Sequence, residues 1–159
     1  AADSSYAGMI LDYRIVGLNE AHTDIDLTTS LFVPTDEFGV TFVAPPSGNV
    51  EYEIQGFFYG GSAGRGLIAG LSSANATSGY VEIADENTQL IFSGNTRTSY
   101  REFTHKWVET GLSGSVSRWA AFKTDNTSGV PQVLWGGSSA DRYPDFIMKV
   151  TALPATIST

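Results

Sequence analysis

Aromatic and charged residues gather near the C-terminal end of the chain. Trp135 precedes a loop that carries Asp141, Arg142 and Tyr143. A flat ring can cover the apolar face of a pyranose while charged side chains bond its hydroxyl groups. These four residues therefore predict ligand contacts, with a glycan as the ligand. The alternative is that Trp135 anchors a turn.

Groups suited to catalysis are few. The chain has no cysteine and only two histidines, His22 and His105, and it contains neither a Gly-x-Ser-x-Gly elbow nor a His-Glu-x-x-His pair. His105 alternates with Phe103 and Trp107, which predicts a core histidine with one hydrogen-bond partner rather than a base. The sequence thus predicts no catalytic residue.

Carboxylates occur in close pairs, for example Asp24 with Asp26 and Asp36 with Glu37. Calcium takes six to eight oxygen ligands, and no stretch supplies a complete loop of them. We therefore predict no cofactor and no metal site. A calcium ion held by two approaching loops stays open.

Strands must position these residues. In 50–59, Val50, Tyr52 and Ile54 alternate with polar residues, which indicates a strand with one buried face. Pro45 and Pro46 mark a corner before it, because proline cannot donate to a sheet ladder. Similar patterns predict strands at 9–18, 24–33, 40–44, 50–59, 66–71, 80–84, 90–92, 98–112, 116–124, 130–136 and 146–152.

This spacing predicts an all-β fold, a two-sheet antiparallel β-sandwich that is jelly-roll-like. An immunoglobulin- or fibronectin-like sandwich is the alternative. The 159 residues suit a single domain, 1–159, with N-terminal strands in 1–39, a body at 40–154 and a polar tail at 155–159.

Three consecutive aromatic residues, Phe57, Phe58 and Tyr59, place bulk on both faces of one strand. One face needs cover besides the core. We therefore predict that these residues lie at a subunit interface of a homo-oligomer, with a trimer favoured.

Charge limits the partners. There are 17 acidic and 9 basic residues, for a net charge of −8. Phosphate binding needs a basic footprint, so a nucleic acid partner is not expected.

No apolar stretch approaches the roughly 20 residues that cross a bilayer, so no membrane insertion is expected. The chain does not begin with Met, which fits a processed protein or a piece of a longer one.

Several blocks resemble a domain of virion structural and fibre-like proteins from marine tailed bacteriophages of the cyanophage type. The most specific runs from Tyr143 to Pro154, and another contains the Pro45–Pro46 corner. The matching blocks are 40–50, 70–72, 105–107, 110–112, 121–124, 134–137 and 143–154.

The resemblance implies a non-enzymatic protein at the virion surface, in a fibre or appendage tip or as capsid decoration. Host adhesion or particle reinforcement would be its role, with other virion proteins and a host-surface glycan as partners. Two alternatives stay open. One is a carbohydrate-binding module of a secreted bacterial protein; the other is a polysaccharide depolymerase using carboxylates such as Asp85 and Glu102.

Overall fold

The computed structural model describes residues 6–94, 99–137 and 142–159. Its regular structure is almost entirely antiparallel strands, with one short 3₁₀ helix at Asp85–Asn87. The strands are β1 (Ile10–Val16), β2 (Thr23–Asp26), β3 (Gly39–Val43), β4 (Val50–Tyr59), β5 (Leu67–Ser72), β6 (Gln89–Phe92), β7 (Tyr100–Glu109), β8 (Ser115–Lys123), β9 (Gln132–Trp135) and β10 (Phe146–Ala152).

The strands form two sheets. In the larger sheet, one edge of β4 pairs with β7. The other edge of β4 pairs first with β10 and then with β9. β10 pairs in turn with β1, and β9 pairs with β2. The smaller sheet has the order β3-β8-β5-β6.

Two strands of the larger sheet are interrupted. When β1 and β2 are counted as one strand, and β9 and β10 as another, the chain has eight strands. The larger sheet then contains the first, eighth, third and sixth strands, in that order. The smaller sheet holds the second, seventh, fourth and fifth. This is the order of a jelly roll, with eight strands in two sheets. The predicted jelly-roll-like sandwich is confirmed over its immunoglobulin-like alternative.

The core lies between the sheets, and β4 shows why the sequence places it there. Val50, Tyr52, Ile54 and Phe58 point inward and are fully buried, while the odd-numbered residues between them face outward. Each strand face thus carries one class of side chain, as the period of two requires. Burial of the inward set supplies the main driving force for association of the sheets.

The partner strands of β4 change at Gly56. β10 pairs with β4 up to Gln55, and β9 pairs with it from Phe57 onward. The connection between β9 and β10 leaves the sheet at this point. No larger residue fits at position 56, because a Cβ added to Gly56 would lie 2.5 Å from the Phe103 ring on the neighbouring strand.

Both described ends of the chain are fixed beside the start of β4. The Gly8 N–H donates to the Ala152 carbonyl over 2.8 Å. In the proline corner, the Ser47 hydroxyl donates to the Leu153 carbonyl at 2.7 Å, and the Asn49 amide donates to the Pro154 carbonyl at 2.9 Å. The residues of the corner therefore bind the end of the last strand.

Most predicted strands match the structure within a few residues. There are two exceptions. In 24–33 the strand ends at Asp26, and the remainder contributes only an isolated bridge between Phe32 and Phe122. The segment 80–84 contributes only an isolated bridge between Glu82 and Ser72. Its hydrophobic residues belong to a loop that packs on the core through Tyr80 and Ile83. Among the described residues, no helix is long and apolar enough to cross a membrane.

Candidate functional site

Aromatic rings gather on the outer face of the larger sheet. Phe57 and Tyr59 project outward from the last part of β4, and Tyr100 lies directly across from Tyr59 on β7. The Tyr59 and Tyr100 rings are 4.6 Å apart between centroids and 20° from parallel. Phe57 and Tyr100 are 5.8 Å apart and 12° from parallel. The pairing of two distant strands thus creates a continuous ring surface.

A fourth ring comes from the connection between β9 and β10. Tyr143 lies 5.4 Å from Phe57 and 5.8 Å from Tyr100 between centroids. Its position is fixed by the bond from its N–H to the Gly136 carbonyl, 2.9 Å long. We call Phe57, Tyr59, Tyr100 and Tyr143 the aromatic patch. Tyr100 is 49% exposed, so the patch is open to ligands.

His22 borders the aromatic patch. Its ring meets the edge of Tyr143 at 4.5 Å, and its Nε2 lies 3.7 Å from the Asp24 carboxylate. It arrives on the connection between β1 and β2, which leaves the sheet beside the connection that carries Tyr143. The two interruptions in the sheet therefore deliver side chains to the same place.

A pocket of about 200 Å³ adjoins the aromatic patch. Glu102 lies directly across from Phe57 in the pairing of β4 with β7, and it also lines the pocket, so it connects the patch to the pocket. The lining combines acceptors, a hydroxyl, an amide and apolar surface, as ligand pockets commonly do. Its residues are Gln55, Gly56, Glu102, Phe103, Thr104, Pro144, Asp145 and Ile147.

The carboxylates of the pocket differ in their partners. Asp145 accepts a short hydrogen bond from the guanidinium of Arg142, which also donates to the Gly137 carbonyl. Glu102 forms no ion pair with any residue that the structure describes. The carboxylate of Glu102 is therefore the acidic group of the pocket that is available to a ligand.

The first half of β4 has a different outer face. Glu53 lies between Lys106 and Lys149, at 3.3 and 3.4 Å, and Lys106 also reaches Glu51 at 3.5 Å. Burial opposes ionisation of Glu53, but the bonds and charges of the two lysines outweigh it and lower the pKa of that carboxyl. We call these four residues the ionic cluster. Its charges are satisfied within the chain.

His105 faces inward from β7. It is half-buried, and its ring meets that of Trp107 edge-on at 4.9 Å. Burial lowers its pKa. The predicted core position is observed, but the single hydrogen-bond partner expected for its side chain is not, because Nε2 is buried without one among the described residues.

The predicted ligand contacts divide into three groups. Arg142 and Tyr143 lie at the pocket and the patch. Asp141 lies outside the described residues. Trp135 is corrected: it is 4% exposed and packs against Phe38 at 4.8 Å between the sheets, so its ring is not accessible to a ligand.

The predicted subunit interface is corrected in one residue. Phe58 is 0% exposed and belongs to the core, because it alternates with its two neighbours. Phe57 and Tyr59 do face outward. Tyr100 and Tyr143 of the same chain pack against these two rings. Leu134, which lies across from Phe57 on β9, is 1% exposed.

Sequence reasoning missed Tyr100 and Gln55 as site residues, and it named Glu102 only as a carboxylate of the depolymerase alternative. The alternation along β4 and β7 places each of them on an outer face, and this much could have been read from the sequence. Their convergence depends on the register between β4 and β7. No local signal fixes this register.

Metal ligands show no comparable grouping. Within the described residues, no set of three or more His, Asp or Glu side chains is close enough to hold an ion. Asp36, from one of the acidic pairs, instead accepts the Ala76 N–H at 2.8 Å. The side chain of Asp85, the other carboxylate named for the depolymerase alternative, lies outside the description.

No protein-family model matches the sequence, and no curated protein matches it. Several solved structures are distantly similar to this chain, and two of them illustrate the level of similarity. One is the CBM22-1–GH10 part of endo-1,4-β-D-xylanase 10B from Clostridium thermocellum, complexed with xylohexaose: 12% identity, 97% of this chain covered, TM-score 0.37. This chain spans 30% of that one.

The other is the CBM22-1 xylan-binding domain of Xyn10C from Paenibacillus barcinonensis. It is 13% identical with a TM-score of 0.38, and the match covers 95% of this chain and all of that one. Similarity at this level transfers no ligand to the present chain.

Proposed function

We propose that the protein binds a polysaccharide on the outer face of its larger sheet, without cleaving it. The observation that carries the proposal is the convergence of four aromatic rings from β4, β7 and the β9–β10 connection beside a pocket with polar walls. A soluble monomeric protein rarely leaves such a surface open without a use for it.

The two parts of the site match the two chemical characters of a sugar. The C–H face of a pyranose is apolar and packs on aromatic rings, and burial of that surface contributes about 25 cal/mol per Å². The hydroxyl edge requires hydrogen-bond partners. Glu102, Thr104 and Gln55 supply acceptors and donors at the adjoining pocket.

Binding without cleavage follows from the carboxylates. Glycosidases generally use two of them, one to protonate the leaving group and one as base or nucleophile. Asp145 is engaged by Arg142, which leaves Glu102 as the unpaired carboxylate in the described part of the pocket. The depolymerase alternative predicts release of reducing ends from a bound polymer, and our proposal predicts none.

Retardation of the protein in native gels that contain a soluble polysaccharide tests the proposal. Tyr100→Ala removes the most exposed ring of the patch, and we expect at least about tenfold weaker retention, or about 1.4 kcal/mol. Tyr13→Ala is the matched control, because Tyr13 is 47% exposed on β1, beside Lys149 of the ionic cluster.

Equal retention of both variants and the wild type would contradict the proposal. The panel should include hydroxyethyl cellulose, galactomannan, xylan and a host exopolysaccharide. Light scattering of the same samples separates the rival use of the patch, because self-association through Phe57 and Tyr59 would give an oligomer that Tyr100→Ala weakens.

The resemblance to phage structural proteins motivates a second candidate, display of this module on a virion surface as part of an oligomer. Its best-matching blocks form one unit, since the corner residues Ser47 and Asn49 bind carbonyls at 153–154. Labelling of intact phage particles with an antibody raised against the chain tests this setting. Binding to particles supports it, and neighbouring genes for secreted hydrolases would contradict it.

A further inference from the structure

We infer that the polysaccharide is uncharged and that Glu102 makes the site select against acidic polymers. This inference rests on the proposed function, because it concerns the ligand of the same surface. It follows from the pocket's supply of acceptors and from the partners of the lysine and arginine side chains that the structure describes around it.

The pocket offers more acceptors than donors. The Glu102 carboxylate accepts only, and so does Asp145. Of the donors, the Gln55 amide already donates to Glu53 over 3.4 Å. A ligand that donates from hydroxyl groups suits this set. A ligand carboxylate or sulfate brings further acceptors and finds few partners.

The described lysine and arginine side chains near the site are already engaged. Arg142 bonds Asp145 and the Gly137 carbonyl. Lys106 and Lys149 are held by the carboxylates of the ionic cluster. To bind an anionic sugar, one of these cations would have to leave its present partner.

Repulsion adds to the lack of partners. Two like charges 4 Å apart cost about 1 kcal/mol in water and more where solvent is displaced. A uronate that packs on the aromatic patch would lie beside the unpaired Glu102. The chain's net charge of −8 acts in the same direction at longer range.

The experiment compares one polymer in two charge states. Galactomannan or hydroxyethyl cellulose, whichever the wild type retains more strongly, is used before and after its C6 hydroxymethyl groups are oxidised to carboxylates. We expect oxidation to weaken binding at least about tenfold at low salt. The deficit should shrink in 1 M salt, where the Debye length is about 3 Å.

Glu102→Lys identifies the residue responsible. We expect this variant to reduce the deficit of the oxidised polymer about tenfold. Glu37→Lys is the matched control, since it changes net charge equally from an exposed position before β3, in the other sheet. It should leave the ratio between the two polymers within about twofold.

Each outcome decides one statement. Equal binding of both polymers by the wild type, or equal ratios in the two lysine variants, overturns the inference and leaves the proposed function intact. Stronger binding of glycol chitosan than of the neutral polymer overturns the uncharged ligand in favour of a cationic one. Retention of none of these polymers by the wild type overturns both the inference and the proposed function.

Discussion

The two halves of the outer face of β4 have different chemistry. In the first half, Glu51 and Glu53 are matched by lysines from β7 and β10. In the second half, Phe57 and Tyr59 are joined by further rings, and Glu102 beside them has no ionic partner among the described residues. A surface whose charges are satisfied internally gains little from a ligand, so the first half contributes to stability and the proposed recognition belongs to the second half.

The largest expected effect contrasts two adjacent residues. Phe58→Ala removes a fully buried core ring and should lower the free energy of unfolding by about 3–5 kcal/mol. Phe57→Ala removes a ring of the aromatic patch and should cost about 1 kcal/mol or less, with at least tenfold weaker polysaccharide retention. Urea denaturation measures the first quantity, and gel retardation measures the second.

Similar loss of stability in both variants would mean that the aromatic patch belongs to the core. Retention of full binding by Phe57→Ala would mean that the second half of β4 is no more a recognition surface than the first. Either result would remove the contrast between the halves.

A smaller effect is expected in the ionic cluster. Glu53→Gln should destabilise the protein by about 1 kcal/mol at pH 7 and leave polysaccharide retention within about twofold. The folded-state pKa of Glu53 is lowered, so its contribution is present above its unfolded value of 4.5 and is lost as pH falls through the folded value. Stability curves of the wild type and Glu53→Gln should therefore converge in acid.

The smallest effect concerns His105, on the opposite face of β7. Its pKa is lowered by burial, so the unfolded chain takes up a proton first as pH falls below about 6.5. Stability should decline from pH 7 downward until the folded-state value is reached. In His105→Gln this decline should be absent.

The two pH windows distinguish the two residues. A decline near pH 6 that persists in His105→Gln would assign it to another group. A decline confined to pH below 4.5 would point to the ionic cluster alone.

The fold was largely predictable from local pattern. The alternation of Val50, Tyr52 and Ile54 and the proline corner before them need no tertiary information, and both are confirmed. Alternation also separates Phe58 from its neighbours. It does not decide the position of Trp135: the polar loop after this residue indicates a surface position, whereas the ring packs in the core.

The site was only partly predictable. Arg142 and Tyr143 were found because they share a loop with polar residues. Tyr100 was not found, and Glu102 was named only as a carboxylate of the depolymerase alternative, since both join the patch only through the register of β7 against β4. That register is set by packing over the whole sheet. The strand interruptions that bring His22 to Tyr143 likewise have no signature along the chain.

The fixing of both chain ends beside the proline corner has a practical consequence. Gly8 and Pro154 are held next to Val50, whereas Phe57 and Tyr59 of the patch lie at the far end of the same strand. A strand of 10 residues is roughly 30 Å long at 3.4 Å per residue. A label or fusion partner attached beside Gly8 or Pro154 would therefore be held at the other end of β4 from these rings, which makes these positions suitable for immobilising the protein in the binding experiments.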